Sequence, residues 1–338
     1  FTFILLVLAS RVFAAYFFAD IRLDNEWGKL VHNLDFSGIL GINVIVDEFK
    51  ALHKFADPGD TVLPSVFMPP LYAYFIYYVK LISNNLFDLI KIVIFVQIFL
   101  SLIFFFIFFK ILRNFENFNV SLLTTIIFSF FPLYVYSSVQ ISSVSLQIFL
   151  LLSFFYYLLV FIRRKNFLSL IYFSIFSGLL ILIRGEFFLF YLITLSYFFI
   201  YIKKDFRSLF ISLLISLIII FPYLKRNYYY FDNLVLTKSF GYNLLKGNNP
   251  DLKVEGSIDY IKKNFDQKNL KIETNYYYEI ELDNYYKKQA FEVIKENPSI
   301  YFQLYFKKVF SFLFIDIDST YPGYYNIFNI LPKLILSL

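Results

Sequence analysis

Six residues in one short stretch could do chemistry together: Asp20, Arg22, Asp24, Glu26, Trp27 and Gly28. They follow directly on an apolar run over residues 1–19. A carboxylate at the mouth of a membrane helix is placed to take a proton from a hydroxyl delivered at the membrane surface. The same residues would also serve as a hydrated helix end, with Trp27 as its interfacial anchor. A second constellation is Arg184–Gly185–Glu186, between two apolar stretches with no other polar residue nearby. A charge at membrane depth is costly and faces a cavity or a partner; alternatively, Arg184 and Glu186 pair with each other across a short outer loop. A third is Lys225–Arg226–Asn227, which follows Pro222 and precedes Gly241-Tyr242-Asn243-Leu244 and Gly247-Asn248-Asn249-Pro250. Adjacent cations can hold a phosphate through charge-assisted hydrogen bonds. The Gly- and Asn-rich stretch reads on its own as a turn. Met68–Pro69–Pro70–Leu71–Tyr72 marks a helix start, because the first turn has spare N–H groups. Arg11 either reaches a phosphate or snorkels to the interface.

The elements that must carry these residues are apolar helices. The chain has 338 residues, is 59% hydrophobic and only 17% charged, and its mean hydropathy is +0.63. A soluble domain is about 45–50% apolar and about 25% charged, so the bilayer is the natural solvent. There is no Cys, and His is limited to His32 and His53. Disulfides, thiolate chemistry and a multi-histidine zinc site are therefore excluded. No metal ligands are assigned and no cofactor is expected, with a divalent cation left open. The net charge of +6 comes from short Lys/Arg clusters between apolar runs, which orient a membrane protein and do not point to nucleic acid.

The hydropathy pattern predicts crossings near 1–19, 67–83, 89–111, 120–137, 141–162, 167–184, 186–202 and 208–224. The expected fold class is all-α, a polytopic transmembrane helical bundle with extracytoplasmic loops that carry short amphipathic helices. Its regions are a membrane module over 1–224 that includes loop 20–66, an extracytoplasmic segment over 225–300, and further membrane or interfacial helices over 301–338. One amphipathic helix, within 276–296, places Tyr286, Ala290, Phe291 and Ile294 along one face and is expected to lie on the membrane. Basic clusters at Lys110 with Arg113, Arg163–Lys165, and Lys203 to Arg207 read as cytoplasmic. Loop 20–66 and everything after Leu224 then face the outside of a bacterial inner membrane. Segment 67–111 must cross an odd number of times, so one of its two apolar stretches is only partial. The chain starts without Met inside one apolar run and stops inside another, and so reads as the N-terminal part of a longer protein.

Taken in order, these pieces resemble the GT-C membrane glycosyltransferases, in the branch of protein O-mannosyltransferases and aminoarabinose transferases. The likeness runs from about residue 1 to 315. It is carried by Asp24-Asn25-Glu26-Trp27-Gly28, Pro69-Pro70-Leu71-Tyr72, Ile183-Arg184-Gly185-Glu186, Pro222 to Asn227, and Gly247-Asn248-Asn249-Pro250. The resemblance implies sugar transfer from a polyprenyl-phosphate carrier to an acceptor on the extracytoplasmic face. It implies Asp24 as base with Glu26 second, and Arg226, Lys225 and Arg184 on the donor phosphate. Glu186, Asn227, Tyr72, Asn248 and Asn249 would line the substrate. Two positions depart from the family pattern: Leu23-Asp24 stands where adjacent acids are common, and Gly185 where Pro is usual. If the 24–26 segment were helical, Glu26 would turn about 200° away from Asp24. The partners implied are the lipid-linked sugar, the membrane, and an acceptor that is a lipid, a glycan or a protein. An alternative is a transporter or flippase of lipid-linked sugars without transferase activity, which would need polar residues along a path, such as Gln97, Gln147 and Arg184. A third is a structural partner in an envelope complex.

Overall fold

Asparagine marks where many of the helices begin. In the computed structural model, Asn25, Asn85, Asn117 and Asn166 each sit just before a helix and accept a hydrogen bond from a backbone N–H of its first turn, which satisfies a donor the helix cannot use internally. The structure describes residues 2–19, 23, 25–45, 50–52, 60–83, 85–201, 206–265, 272–320 and 323–337. The chain is mostly helical and divides into two compact units. A short three-stranded sheet, β1 (Gly41–Ile45), β2 (Lys50–Leu52) and β3 (Thr61–Pro64), in the order β2–β1–β3, departs from the all-α expectation within loop 20–66.

The first unit comprises residues 1–43, 53–62 and 69–236. It contains α1 (Thr2–Phe18), α2 (Glu26–Ser37), α3 (Pro70–Lys80), α4 (Leu86–Leu112), α5 (Phe118–Ser129), α6 (Pro132–Ser137), α7 (Val144–Arg164), α8 (Phe167–Ile183), α9 (Phe187–Tyr201) and α10 (Phe206–Phe231). Among the described residues, α4, α7 and α10 are long and apolar enough to cross a membrane. At 11 residues, α3 is about 16 Å long, half of a hydrocarbon core of about 30 Å. It is too short to cross a bilayer alone, whereas α4 is long enough. Pro132 at the start of α6 splits the single helix expected over 120–137. At the other end, α10 continues seven residues past the expected stop at 224, through Pro222, Lys225 and Arg226.

Several helices of this unit bury small polar residues among apolar ones and turn large apolar side chains outward. On α4, Gln97 and Ser101 are fully buried while Phe95, Phe99 and Phe106 are exposed. On α5, Ser121, Thr125 and Ser129 recur every fourth residue on the buried face, with Leu123 and Ile127 outside. On α10, Ser212 and Ser216 are buried while Leu213, Leu214, Leu217 and Ile218 are exposed. Large apolar side chains turned outward suit lipid as solvent, and the small and hydroxylated residues inside let helices approach and bond to one another. The tightest case joins α8, α9 and α10. Ser174 Oγ donates to Ser212 Oγ (2.9 Å), Ser212 Oγ meets Tyr191 OH (2.7 Å), and Ser216 Oγ reaches Tyr191 OH (3.0 Å) and the Ser174 carbonyl (2.9 Å). At Gly178 on α8, an added Cβ would lie 2.8 Å from Ile219 Cβ, so only glycine allows this approach.

The basic clusters gather at one end. Arg163, on the last turn of α7, donates to Asn114 Oδ1 (2.8 Å) and to the Asn114 carbonyl (2.7 Å), beyond the end of α4. Lys165 and Arg207 line one cavity. The loop between α6 and α7 lies away from that end: Gln140 donates to the Phe18 carbonyl at the end of α1 (2.6 Å), and Asn25 donates to the Ile141 carbonyl (3.4 Å). Arg11 on α1 is fully buried, with its guanidinium 5.0 Å from the Phe105 ring centre. Its Nη1 donates to Ser10 Oγ (2.7 Å), while its Nε and Nη2 have no hydrogen-bond partner among the described residues.

The second unit comprises residues 44–52, 63–68 and 237–338. It holds α11 (Phe240–Gly247), α12 (Ile258–Asn264), α13 (Tyr278–Glu296), α14 (Pro298–Leu313) and α15 (Ile327–Ser337). Tyr286 and Ala290 of α13 pack with Leu245 and Ile261 in its core. The face expected to rest on a membrane is thus largely used in packing, and of it Phe291 is exposed. The mismatch arises because an amphipathic period specifies a buried face without naming what covers it.

Candidate functional site

Arg226 lies 20 residues into α10, about 30 Å along the axis from its basic start. Its Nη2 donates to the Leu40 carbonyl (2.6 Å), just past α2, and its Nη1 donates to Asn227 Oδ1 (2.7 Å). Asn227 is fully buried and donates to the Val235 carbonyl (2.6 Å). The rings of Tyr223, Tyr230 and Phe231 lie 5.7, 5.3 and 5.7 Å from the guanidinium carbon, within cation–π range. Tyr74 of α3 is within electrostatic reach of Arg226. The cation is therefore half-buried and oriented, and the first loop is one of the things that orient it. Lys225, its neighbour, is exposed.

The start of α2 is braced separately. Asn25 Oδ1 accepts the Gly28 N–H (3.1 Å), which fixes where the helix begins and puts Glu26, exposed, in its first turn. Trp27 stands edge-on to Tyr72 at 5.1 Å. Tyr72 is fully buried and donates to Gln97 Oε1 (2.7 Å), and Gln97 Nε2 donates to the Gln140 carbonyl (2.7 Å). A chain of bonds thus runs from α3 through α4 to the loop before α7. Asp24, the favoured base, lies outside the described residues. The helix begins at Glu26, so Asp24 precedes both the helix and its cap.

Arg184 and Glu186 form an ion pair of 3.6 Å with side chains 47% and 75% exposed. No bond joins either of them to Arg226 among the described residues. A pair so open to solvent contributes little, about 0–1 kcal/mol. In the second unit, Asn249 is fully buried, donates to the Lys253 carbonyl (3.0 Å) and accepts the Lys253 N–H (3.0 Å). Asn248 donates to the Leu244 carbonyl (2.8 Å) at the end of α11. The Gly247–Pro250 stretch therefore builds a turn with its own side chains.

Three buried acids escaped the reading of the sequence: Asp316, and the pair Glu279 and Asp283 on α13. Glu279 accepts from Ser65 Oγ (2.9 Å), the Val66 N–H (2.7 Å) and the Phe67 N–H (3.0 Å). Asp283 accepts the Gly241 N–H at 2.6 Å. Their signal was present: Glu279 and Asp283 share the stripe of Tyr286 and Ala290, and an acid on a buried stripe needs donors. Among the described residues, no group of three or more His, Cys, Asp or Glu could hold a metal ion. In comparison with known proteins, no family model matches the chain, no curated protein matches it, and no solved structure matches it.

Proposed function

We propose that this chain is a membrane glycosyltransferase that moves a sugar from a polyprenyl-phosphate donor to an acceptor on the extracytoplasmic face, with Asp24 of the first loop as base. The observation that carries the reading is the hydrogen bond from Arg226 to the Leu40 carbonyl, which ties a half-buried guanidinium to the loop that holds the acids. Three basic clusters lie at the other end of α10. The positive-inside rule assigns that end to the cytoplasm and Arg226 to the far side. An acceptor hydroxyl is a weak nucleophile and needs a carboxylate within hydrogen-bond reach. The phosphate leaving group gathers charge, which a planar guanidinium stabilises in two-pronged fashion. The aromatic rings within 5.3–5.7 Å of Arg226 add cation–π contacts that hold the guanidinium in place.

The test is transfer from a lipid-linked sugar by the purified chain. Asp24→Asn is expected to lower transfer by at least about 100-fold, the low end for loss of a general base. Arg226→Lys keeps the charge, loses the planar fork, and is expected to lower it as well. Normal transfer by Asp24→Asn with loss in Glu26→Gln would move the base to Glu26. Full activity in both would end the enzymatic reading of this loop. Transport without transfer would call for unengaged polar groups along a path, whereas Gln97 is bonded to Tyr72 and Gln140.

A further inference from the structure

The cavity at the basic end of the first unit is not used by the proposed reaction. It has a volume of about 460 Å³, within the range of small-ligand sites. Lys165, from the turn between α7 and α8, and Arg207, from the first turn of α10, line it together with Ser208. Phe161, Leu170 and Ile211 form its apolar walls. Both cations are exposed, and neither forms an ion pair among the described residues. Arg163, two residues from Lys165, is engaged with Asn114.

Lys165 has φ of 48°, the left-handed region that a side chain with a Cβ adopts at a cost. Glycine or asparagine would end α7 there with less strain, and Asn166 stands next in the chain. The strained position holds an ammonium group at the mouth of the cavity. The start of α10 adds the positive end of a long helix on the same side.

We infer that this cavity binds the phosphate-bearing headgroup of an anionic membrane lipid. Lys165 and Arg207 pair with the phosphate, Ser208 lies beside it, and the apolar walls take the glycerol and the first methylenes of the chains. A lipid is favoured over free phosphate because the cavity joins a cationic mouth to apolar walls, and because it opens among helices whose outer faces are apolar. Basic pockets between membrane helices commonly take such headgroups. The inference requires the membrane reading alone and is independent of sugar transfer.

The experiment is native mass spectrometry of the full chain released from bilayers of phosphatidylcholine mixed with phosphatidylglycerol. Wild type is expected to retain phosphatidylglycerol in preference to phosphatidylcholine. Lys165→Gln with Arg207→Gln is expected to reduce that preference by at least about tenfold, as each cation near an anionic surface contributes roughly a factor of five. Arg164→Gln, an exposed cation outside the cavity, is expected to leave it unchanged. Equal retention by the double variant overturns the inference, as does an equal loss in Arg164→Gln, which would reveal diffuse charge attraction. Excess inorganic phosphate is expected to leave the lipid bound, and its displacement would overturn the lipid assignment in favour of a soluble anion. Should the double variant misfold, cross-linking by a photoreactive phosphatidylglycerol in wild type decides the matter. Label on the peptides holding Phe161 to Leu170 and Ser208 to Ile211 is expected, and label spread evenly over the helices overturns the site.

Discussion

Tyr72 is gripped at its ring by Trp27 and at its hydroxyl by Gln97. Tyr72→Phe keeps the ring and strands the Gln97 carbonyl oxygen. A buried acceptor without a donor costs about 1–3 kcal/mol, though hydrogen bonds within membranes average nearer 0.6 kcal/mol. A loss of about 1 kcal/mol in unfolding from detergent is expected, with part of it recovered when Gln97→Leu is added. A loss in the double variant equal to the sum of the two single losses would show that the bond contributes nothing. In the second unit, Glu255 and Asp316 share a hydrogen bond. Burial, reinforced by the Glu255 charge, raises the Asp316 carboxyl above its ordinary value. Burial pushes Glu255 the same way but is outweighed by the Thr320 hydroxyl and N–H, so its value is lowered. Folded Asp316 keeps a proton that the unfolded chain has released, so its stabilisation is present in acid and lost as pH rises through its raised value. Glu255 stabilises above its ordinary value, and that contribution is lost as pH falls through its lowered one. The Asp316 contribution falls as pH rises from 3.8 through its raised value, and Asp316→Asn is expected to remove that part of the pH dependence of the melting temperature. An unchanged profile in that variant would refute the assignment. Single residues were the least legible level of the sequence. Arg226 stood out because a cation pair on the expected outer side is unusual, but its bond to Leu40 depends on a backbone atom with no mark in the sequence.

At the level of elements, apolar length made most helices of the first unit legible and left their ends obscure. The stop expected at 224 followed from Pro222, Lys225 and Arg226. A proline inside a helix removes one hydrogen bond and need not end it, and α10 runs on to Phe231. The brevity of α3 and the break at Pro132 were likewise hidden, because hydropathy averages over such punctuation. Contacts between elements are testable at the glycines. Gly178→Ala would place its Cβ 2.8 Å from Ile219 Cβ and 3.1 Å from the Ser216 carbonyl oxygen. Overpacking of this kind costs about 1–3 kcal/mol, which equilibrium unfolding of the variant should register. Ser177→Ala, which loses a bond to the Phe173 carbonyl within its own helix, should register less. Gly241→Ala would drive its Cβ into the Asp283 carbonyl, so α11 and α13 are expected to separate. The measurable sign is faster proteolysis after residue 240.

For the whole molecule, three helices long and apolar enough to cross a membrane, with many large apolar side chains exposed on the first unit, point to a lipid environment. Composition made this legible without any structure. The sharing of one end by the three basic clusters was legible too, because helix alternation and the positive-inside rule are global constraints. In a protein with no cysteine, single-cysteine labelling from outside tests the orientation. Ser37→Cys and Asp259→Cys, both at exposed positions, are expected to react, and Arg164→Cys to be spared. Ser257 would be a poor probe for the second unit, being buried and engaged in capping α12. Labelling of Arg164→Cys without Ser37→Cys would invert the orientation.

The burial of Arg11 has a consequence for how the protein is made. Among the helices, α1 packs chiefly against α4 and α6, and the ring beneath Arg11 belongs to Phe105, more than 90 residues further along the chain. At about 5–20 residues per second, α1 waits on the order of 5–20 s for that partner. During the wait its arginine would face lipid alone, at a cost of about 2.5–3.5 kcal/mol on insertion scales. In the membrane reading, α1 therefore stays at the insertion machinery or the interface until α4 emerges. Biogenesis of this bundle is thus ordered by one side chain: α1, made before α4, does not settle before it.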